Sequence, residues 1–413
     1  MRRLIYAFLF LVFLDVAYGT FISQWTFEAF APESPLRVTE QKLFYDYAGV
    51  MDVHTNRSTG SGSLATIVRA ATADHLDFLI LNDLNDFHPP MDENRYYDRV
   101  LVFVGGEYNY LDSVLLNFDM KTTNHLQGPG RSQTAFADLL STADRDRSAG
   151  LFVLAHPFQH GYHWTGNYPP GLDGIEIYNL KELWQQDWLQ SKASFFWSLG
   201  IFPYNTTLSY LRLFTETSND REMALWDRLN SLRPTLGFAG TDADAKIRLW
   251  GSHYLAIPSY QTLFSIVKNH VLIRSELTGQ AAADHRKISN ALRNGQFYIS
   301  LDILANPRGF VAYASAPRRK VIPLGGVTKL IPHLVYHVNL PNRPLVPFKT
   351  YIYKDGQVIS TSTAIDTKFP IVAAGVYRSR VRLRVPLPWP DGTKWINWIL
   401  TNPIYVHKPS GPN

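Results

Sequence analysis

The chain has 413 residues, 46% hydrophobic and 18% charged, a composition that describes a globular protein of two to three domains and excludes a disordered one. A net charge of +5 over that length gives no dense basic stripe, so nucleic-acid binding is not expected. Cysteine is absent, so any metal must be held by histidine and carboxylate alone, without disulfides or thiolate zinc.

In chain order, Arg2 and Arg3 precede the apolar run Leu4 to Leu14, and Ala17-Tyr18-Gly19 offers small residues at cleavage spacing. Asp15 ends the run well short of the ~20 apolar residues that span a bilayer. Residues 1–19 are therefore expected to be a cleaved signal, leaving a secreted or periplasmic protein with no stable membrane anchor. A lead-in over residues 20–47 follows.

From Ala48 a short apolar run, a polar residue at its end, and a loop or helix recur. The runs are Ala48 to Val53, Asp77 to Leu81, Val100 to Val104, Leu151 to Leu154, Gly174 to Ile177 and Leu236 to Ala239. Each is short and rich in Val, Ile, Leu and Phe, as buried parallel strands are. Ser63 is a candidate N-cap for a helix with Leu64, Ile67, Val68 and Ala71 on one face, and Met223, Leu225, Trp226 and Leu229 make a second stripe. The aromatic-rich insert from Leu180 to Thr217 reads as core and lid-like helices. This alternation predicts an α/β layered fold or barrel over 48–294.

Strands dominate from residue 295 to 408, ahead of a short tail over 409–413. They are expected at Phe297 to Leu301, Leu334 to Val338, Thr350 to Tyr353, Tyr377 to Val385 and Trp395 to Leu400, with Asp355-Gly356 as a hairpin turn. A β-sandwich-like domain is the expectation. Arg378, Arg380, Arg382 and Arg384 alternate with apolar residues, which predicts a solvated outer face in preference to an anionic docking face. Asn205-Thr206-Thr207 matches a glycosylation acceptor, meaningful only in a eukaryotic host.

Polar residues sit at the ends of the apolar runs: Asp52 and His54, Asp83, Glu107, His156, and Asp242 with Asp244, while Glu176 lies within its run. The carboxyl ends of parallel strands converge on one rim, where sites form. Carboxylates and imidazoles gathered there repel one another or stay unsatisfied without a cation, and a divalent metal is the economical partner. Each residue alone reads equally as a cap or a structural hydrogen-bonding group. Their shared topological position carries the metal reading.

The stretch "GVMDVHTNRSTGSGSLATIVRAATADHLDFLILNDLND" resembles the opening of the PHP (polymerase and histidinol phosphatase) family. In the expected order there follow "VFVGGE" with Glu107, "LAHP" with His156, "DGIEIYN" with Glu176 and Asn179, and "GFAGTDAD" with Asp242. "NGQFYISLD" and "WILTNPIYV" further resemble its carbaryl-hydrolase-like branch, whose members carry a β-rich C-terminal domain. The resemblance implies a distorted (β/α)7 barrel with up to three metals at its rim. Several positions depart from the family pattern: Asp52 and Asp244 stand where histidines are expected, Thr59 replaces an aspartate and Leu84 a histidine, and a further histidine after Glu107 has no counterpart. Carried over, one metal position keeps Asp52, His54, Glu107 and Asp242, a second keeps Glu107 and His156, and a third only Asp244.

The resulting expectation is a metal-dependent hydrolase of phosphoester, carboxyl ester or carbamate bonds in small molecules, using one or two divalent ions (Mn, Fe, Mg or Zn) to activate water. Trading imidazole for carboxylate hardens the site, favouring Mn, Mg, Fe or Ca over Zn. Asp244 and Asp83 are the candidate catalytic groups, with His156 in reserve, and Arg57 and Lys246 are candidate substrate-binding cations. The alternative is a catalytically reduced, exported protein that binds a ligand or glycan. An adhesion module rests on the β-rich part alone.

Overall fold

The computed structural model describes residues 2–31, 43–250 and 253–409. It begins with α1 (Arg2–Ser23), β1 (Tyr45–Val53), α2 (Leu64–Ala73), β2 (Phe78–Leu81) and the short β3 (Tyr96–Tyr97). β4 (Val100–Val104) runs through Gly105 into β5 (Gly106–Tyr110), and β6 (Ser113–Phe118) returns antiparallel to β5. After α3 (Pro129–Leu140), β7 (Leu151–Leu154) and β8 (Gly174–Asn179) come four successive helices. These are α4 (Leu180–Gln190), α5 (Lys192–Ile201), α6 (Thr206–Leu213) and α7 (Asp220–Leu232). β9 (Leu236–Gly240), the hairpin β10 (Ile247–Trp250) and β11 (His253–Leu255), α8 (Tyr260–Phe264), β12 (Lys268–Ile273), α9 (Ala281–Arg293) and β13 (Phe297–Ser300) complete this part.

Two sheets enclose one interior. β1, β2 and β4 run parallel in one, and β7, β8 and β9 run parallel in the other. The sheets meet where β4 passes into β5 and where Val53 bridges Ala243. Between them Met51, Ile80, Phe103, Leu116, Val153 and Phe238 form a buried cluster, which Ile288 and Leu292 of α9 join. Each strand's alternate side chains reach that cluster, which is why short runs of Val, Ile, Leu and Phe make these strands. Ser63 caps α2 as expected, and Ile67, Val68 and Ala71 are its buried face. The arrangement is not parallel throughout: β6 is antiparallel to both neighbours, and β12 is antiparallel to β1.

The C-terminal strands are β14 (Val311–Ala316), β15 (Lys320–Pro323), β16 (Val327–Lys329), β17 (Val335–Asn339) and β18 (Phe348–Lys354). β19 (Gln357–Ser362), β20 (Asp366–Pro370), β21 (Gly375–Pro386), β22 (Thr393–Thr401) and β23 (Ile404–His407) follow. β15, β14, β17 and β20 form a separate antiparallel sheet. β21, β22 and β23 instead extend the first sheet, because β13 pairs with β12 on one side and β22 on the other. Hydrogen bonding therefore runs unbroken across the expected division between residues 294 and 295. The Tyr336 hydroxyl on β17 lies against Ser379 at 3.3 Å and Thr401 at 3.2 Å, tying the separate sheet to the extended one. Asp355 and Gly356, both at positive φ, turn β18 into β19 as expected.

The arginine row corrects the expectation of a solvated face. Arg378 donates to Asp227 on α7 at 2.7 and 2.5 Å and lies over the Tyr353 ring at 4.0 Å. Arg380 faces Asp220 at 3.6 Å, and Arg382 donates to the carbonyls of Glu216 and Trp395. Only Arg384 is exposed. The arginines fasten the β-rich part to α7, and stacking on tyrosine compensates for their partial burial.

A second ionic knot lies where β1, β12 and β13 adjoin. His270 is fully buried, with Nδ1 2.8 Å from Asp46 and Nε2 3.1 Å from Asp302, while Tyr298 donates to Asp46 at 2.6 Å. Burial opposes the imidazolium, but Asp302 and Asp46 outweigh it and raise its pKa to about 9 from an ordinary 6.5. A raised folded-state pKa contributes stability that is complete below the unfolded value and lost as pH climbs through the folded one. The urea midpoint is therefore expected to fall as pH rises from about 7 through about 9, and the slope should flatten in His270→Asn. An unchanged slope in the variant would remove His270 as its source.

Candidate metal centre

Two short segments build the site by pairing with each other. Ala243 N donates to the Asp52 carbonyl at 2.9 Å, His54 N to the Ala243 carbonyl at 3.0 Å, and Thr241 N to the Met51 carbonyl at 3.0 Å. This pairing brings Asp-x-His and Asp-x-Asp face to face, with the alternate side chains on one side. A bulge in β1 between Val50 and Val53 re-aims Asp52, whose amide donates to the Asn82 side chain at 2.9 Å.

The donors gather around His54. Its Nε2 lies 3.4 Å from Asp52, 3.6 Å from Glu107 and 3.7 Å from Asp242. His156 Nε2 lies 3.9 Å from the other oxygen of Glu107. Ligand atoms of Asp52, His54 and Glu107 all fall within 4.8 Å of one another. Donors bound at about 2.0–2.3 Å from a shared ion are separated by such distances, so the residues fit a divalent cation. Asp52 Oδ1 is buried and has no hydrogen-bond partner, as a ligand oxygen awaiting a cation would be. The outer shell is thinner: Nδ1 of His54 and of His156 also lacks a partner, so the second hydrogen bond that ordinarily fixes a metal-bound imidazole is missing.

Backbone strain concentrates here. Asp52, His156 and Asp242 have φ of 62°, 27° and 43°, in or near the left-handed region that non-glycine residues enter rarely and at a cost of about 1–3 kcal/mol. Such residues persist where the surroundings hold them, and functional sites are where they collect. Gly240 is required for a different reason, since a Cβ there would stand 1.7 Å from Glu176 Oε1.

Electrostatics follow from the crowding. Burial lifts the Asp52 carboxyl to about 6, with Asp242 and Glu107 adding to it against the lowering effect of His54. Burial works against charge on His54, yet its three carboxylate neighbours raise it to about 10, so without an ion the imidazolium supplies the local positive charge. Burial pushes the carboxyl of Glu176, beside Asp52, well up, while Oε2 accepts from His156 N at 2.8 Å and from Asn179 at 3.2 Å. Asp242 is opposed by burial but lowered overall by Lys181, His54 and His156.

Lys181 was not among the expected residues. Its Nζ bridges Asp242 at 3.3 Å and Asp244 at 3.5 Å, and its side chain remains 53% exposed. It sits in the first turn of α4, two residues after Asn179, whose side chain caps that helix. The sequence signal was its place two residues beyond a strand-end polar residue. Tyr260 is a second addition: its hydroxyl donates to the His54 carbonyl at 2.7 Å and accepts from Ser61 N and Gly62 N, clamping the loop after β1.

The remaining expected residues divide. Asp244 and Lys246 border a cavity of about 270 Å³, walled by Trp184, Phe195, Phe202 and Tyr210 of the helical insert. Asp83 does not face that cavity. Its oxygens accept from Thr55 N and Oγ1 at 2.8 Å, Ser58 at 2.6 Å and Arg57, leaving none directed to a reacting group, so the catalytic expectation gives way to loop support. Arg57 is held between Asp83 and Glu93, at 3.2 and 2.9 Å, and does not line the cavity as a substrate-binding cation would.

No family model matches the chain, and no curated protein does. Solved structures give partial likenesses. One is a two-domain Bacteroides vulgatus protein described as containing a predicted PHP-like metal-dependent phosphoesterase. It is 11% identical, covers 90% of this chain and 100% of its own, and has a TM-score of 0.41. Another, a Bifidobacterium adolescentis protein provisionally described as a metal-dependent phosphoesterase, is 12% identical over 50% of this chain and 92% of its own, with a TM-score of 0.28. Likeness of that degree assigns neither fold nor activity.

Replacing Asp52 by asparagine keeps the volume and a residue tolerant of left-handed φ, but removes one crowded charge. Asp52→Asn is expected to lower bound divalent ion at least tenfold by elemental analysis. It should also raise stability in EDTA by on the order of 1–3 kcal/mol, the size of the removed charge penalty. A variant that melts lower in EDTA would contradict the repulsion argument.

Proposed function

We propose that the chain is a divalent-metal-dependent hydrolase of phosphoesters, with carboxyl or carbamate esters as the next class. The observation that carries this reading is the set Asp52, His54, Glu107 and Asp242, the first three buried and the last half-buried, whose donors converge within ion-binding distance. A divalent ion held there supplies polarisation of the acceptor oxygen and acidification of a water. Glu107 and His156 face each other where a second ion would share the glutamate.

Around that set the chain's own groups have separate tasks. Lys181, partly exposed on the cavity wall, holds an anionic substrate oxygen, and its pairing with Asp242 and Asp244 keeps it charged. Asp244, its pKa raised chiefly by burial and by Asp242, accepts or returns the proton at the rim. Lys246 adds a second cation beside it. The aromatic wall receives an apolar leaving group and keeps bulk water from the reacting bond. Leu84 offers no ligand and Asp83 is spent on its loop, which favours one or two ions over three. The same losses support the alternative of a reduced, ligand-binding protein.

The deciding measurement is elemental analysis of the purified chain, followed by assays of p-nitrophenyl phosphate, a bis-p-nitrophenyl phosphodiester and p-nitrophenyl butyrate with added Mn. Turnover should be lost in Asp242→Ala. Lys181→Met should raise KM for the phosphoesters about tenfold, or ~1.4 kcal/mol, with little effect on the neutral ester. A stable, metal-free protein inert toward all three substrates overturns the hydrolase and leaves the ligand-binding reading.

A further inference from the structure

The cavity mouth lies between two elements that expose apolar side chains to an unusual degree. On the hairpin β10–β11, Leu249, Trp250, Tyr254 and Leu255 are 45, 71, 44 and 45% exposed, and Ile247 and Ile257 at its ends line the cavity. On the helical insert, Trp188, Leu189, Phe196 and Leu199 are exposed, and Leu199 also lines the cavity. Soluble surfaces scatter such residues singly, and contiguous groups beside a pocket mark a binding surface. Cations interleave with them: Lys192 stands 3.7 Å over the Trp188 ring and Lys246 4.8 Å over Tyr254. Aromatic rings with neighbouring lysines suit the boundary between lipid headgroups and acyl chains.

The same insert anchors α1. This helix is long and apolar enough to cross a membrane, a property shared by signal sequences and anchors, and Leu4, Tyr6, Phe10, Leu11 and Phe13 on it are exposed. Its far end is fastened. Tyr204 donates to Asp15 at 2.9 Å, the Tyr18 ring packs 5.2 Å from Trp197, and the Tyr18 hydroxyl donates to the Trp389 carbonyl at 2.5 Å. Asn205 donates to the carbonyls of Ile22 and Trp25 while capping α6, so its amide is engaged as well. Asp15, Tyr18 and the buried Gly19 all precede the expected cleavage point. Removing them would strip partners from Trp197 and Tyr204.

We propose that the apolar rim of the cavity is a lipid-facing surface, immersed in the headgroup layer of a bilayer into which the retained α1 inserts. Leu4 to Leu14 extend roughly 17 Å as a helix, a little over half of the ~30 Å apolar layer, so Arg2 and Arg3 reach a headgroup layer only by snorkelling. The helical insert holds α1 and carries half of the rim, and in this proposal both lie at one membrane.

The test does not use turnover, so it is independent of the hydrolase reading. Because the chain has no cysteine, single spin labels can be placed cleanly at Phe196→Cys, Leu249→Cys and Leu255→Cys, with Val358→Cys on the remote strand β19 as an aqueous reference. In full-length protein bound to phosphatidylcholine–phosphatidylglycerol vesicles, the rim labels should collide more often with oxygen than with a water-soluble nickel chelate, and the reference should do the reverse. N-terminal sequencing of the membrane fraction should find Arg2 retained. Rim labels as nickel-accessible as position 358, or spin–spin broadening without oxygen preference, overturn the proposal, the second in favour of a second copy covering the rim. A mature chain that begins at Thr20 and leaves the membrane overturns it too.

Discussion

Carboxylates crowded around one imidazole, largely withdrawn from water, are the constraint on which the rest of the molecule depends. Asp52, Glu107, Asp242 and Glu176 cannot all carry charge in so small a volume unless positive charge is brought among them. The chain supplies part of it through His54, His156 and Lys181, and the crowding shows in the raised pKa of buried Glu176. An ion completes what these groups leave unfinished, which is why the donor set reads as a binding site and not as a structural salt-bridge network.

Holding such a cluster demands rigid surroundings, and the architecture provides them from two directions. The pairing of residues 51–54 with 241–243 locks opposite sides of the rim together. From outside, Arg378 and Arg380 fix α7 against the β-rich part, and α7 in turn packs on β8, the strand that carries Glu176. The extended sheet continues the same brace through β13, making the C-terminal strands part of the scaffold that carries the site. Strained φ angles at Asp52, His156 and Asp242 survive because neither direction yields.

Much of this was legible in sequence, for a physical reason. A polar residue closing a buried apolar run is conspicuous, and topology sends all such residues to one rim, so Asp52, His54, Glu107, His156 and Asp242 stood out together. What stayed hidden depends on relations between segments. Asp83 shares the strand-end position, but whether its oxygens face the rim or its own loop depends on Thr55 and Ser58, which a strand pattern does not encode. Lys181 looks like any exposed lysine in a first helical turn until Asp242 and Asp244 arrive beside it. The arginine row shows the same limit. Period-two alternation tells that one face differs from the other, and only the position of α7 decides that this face is covered.

The clamp made by Tyr260 has a consequence for how the protein comes into being. The donors extend from residue 52 to residue 242, and the hydroxyl that closes the loop behind them belongs to residue 260. Closing so long a separation comes late in folding, because distant segments must be brought together before any contact rewards them. A nascent chain that has emerged only part-way owns some of the ligands but no cage. The identity of an ion taken up there therefore depends on the cations that surround the chain when residues 241–260 arrive.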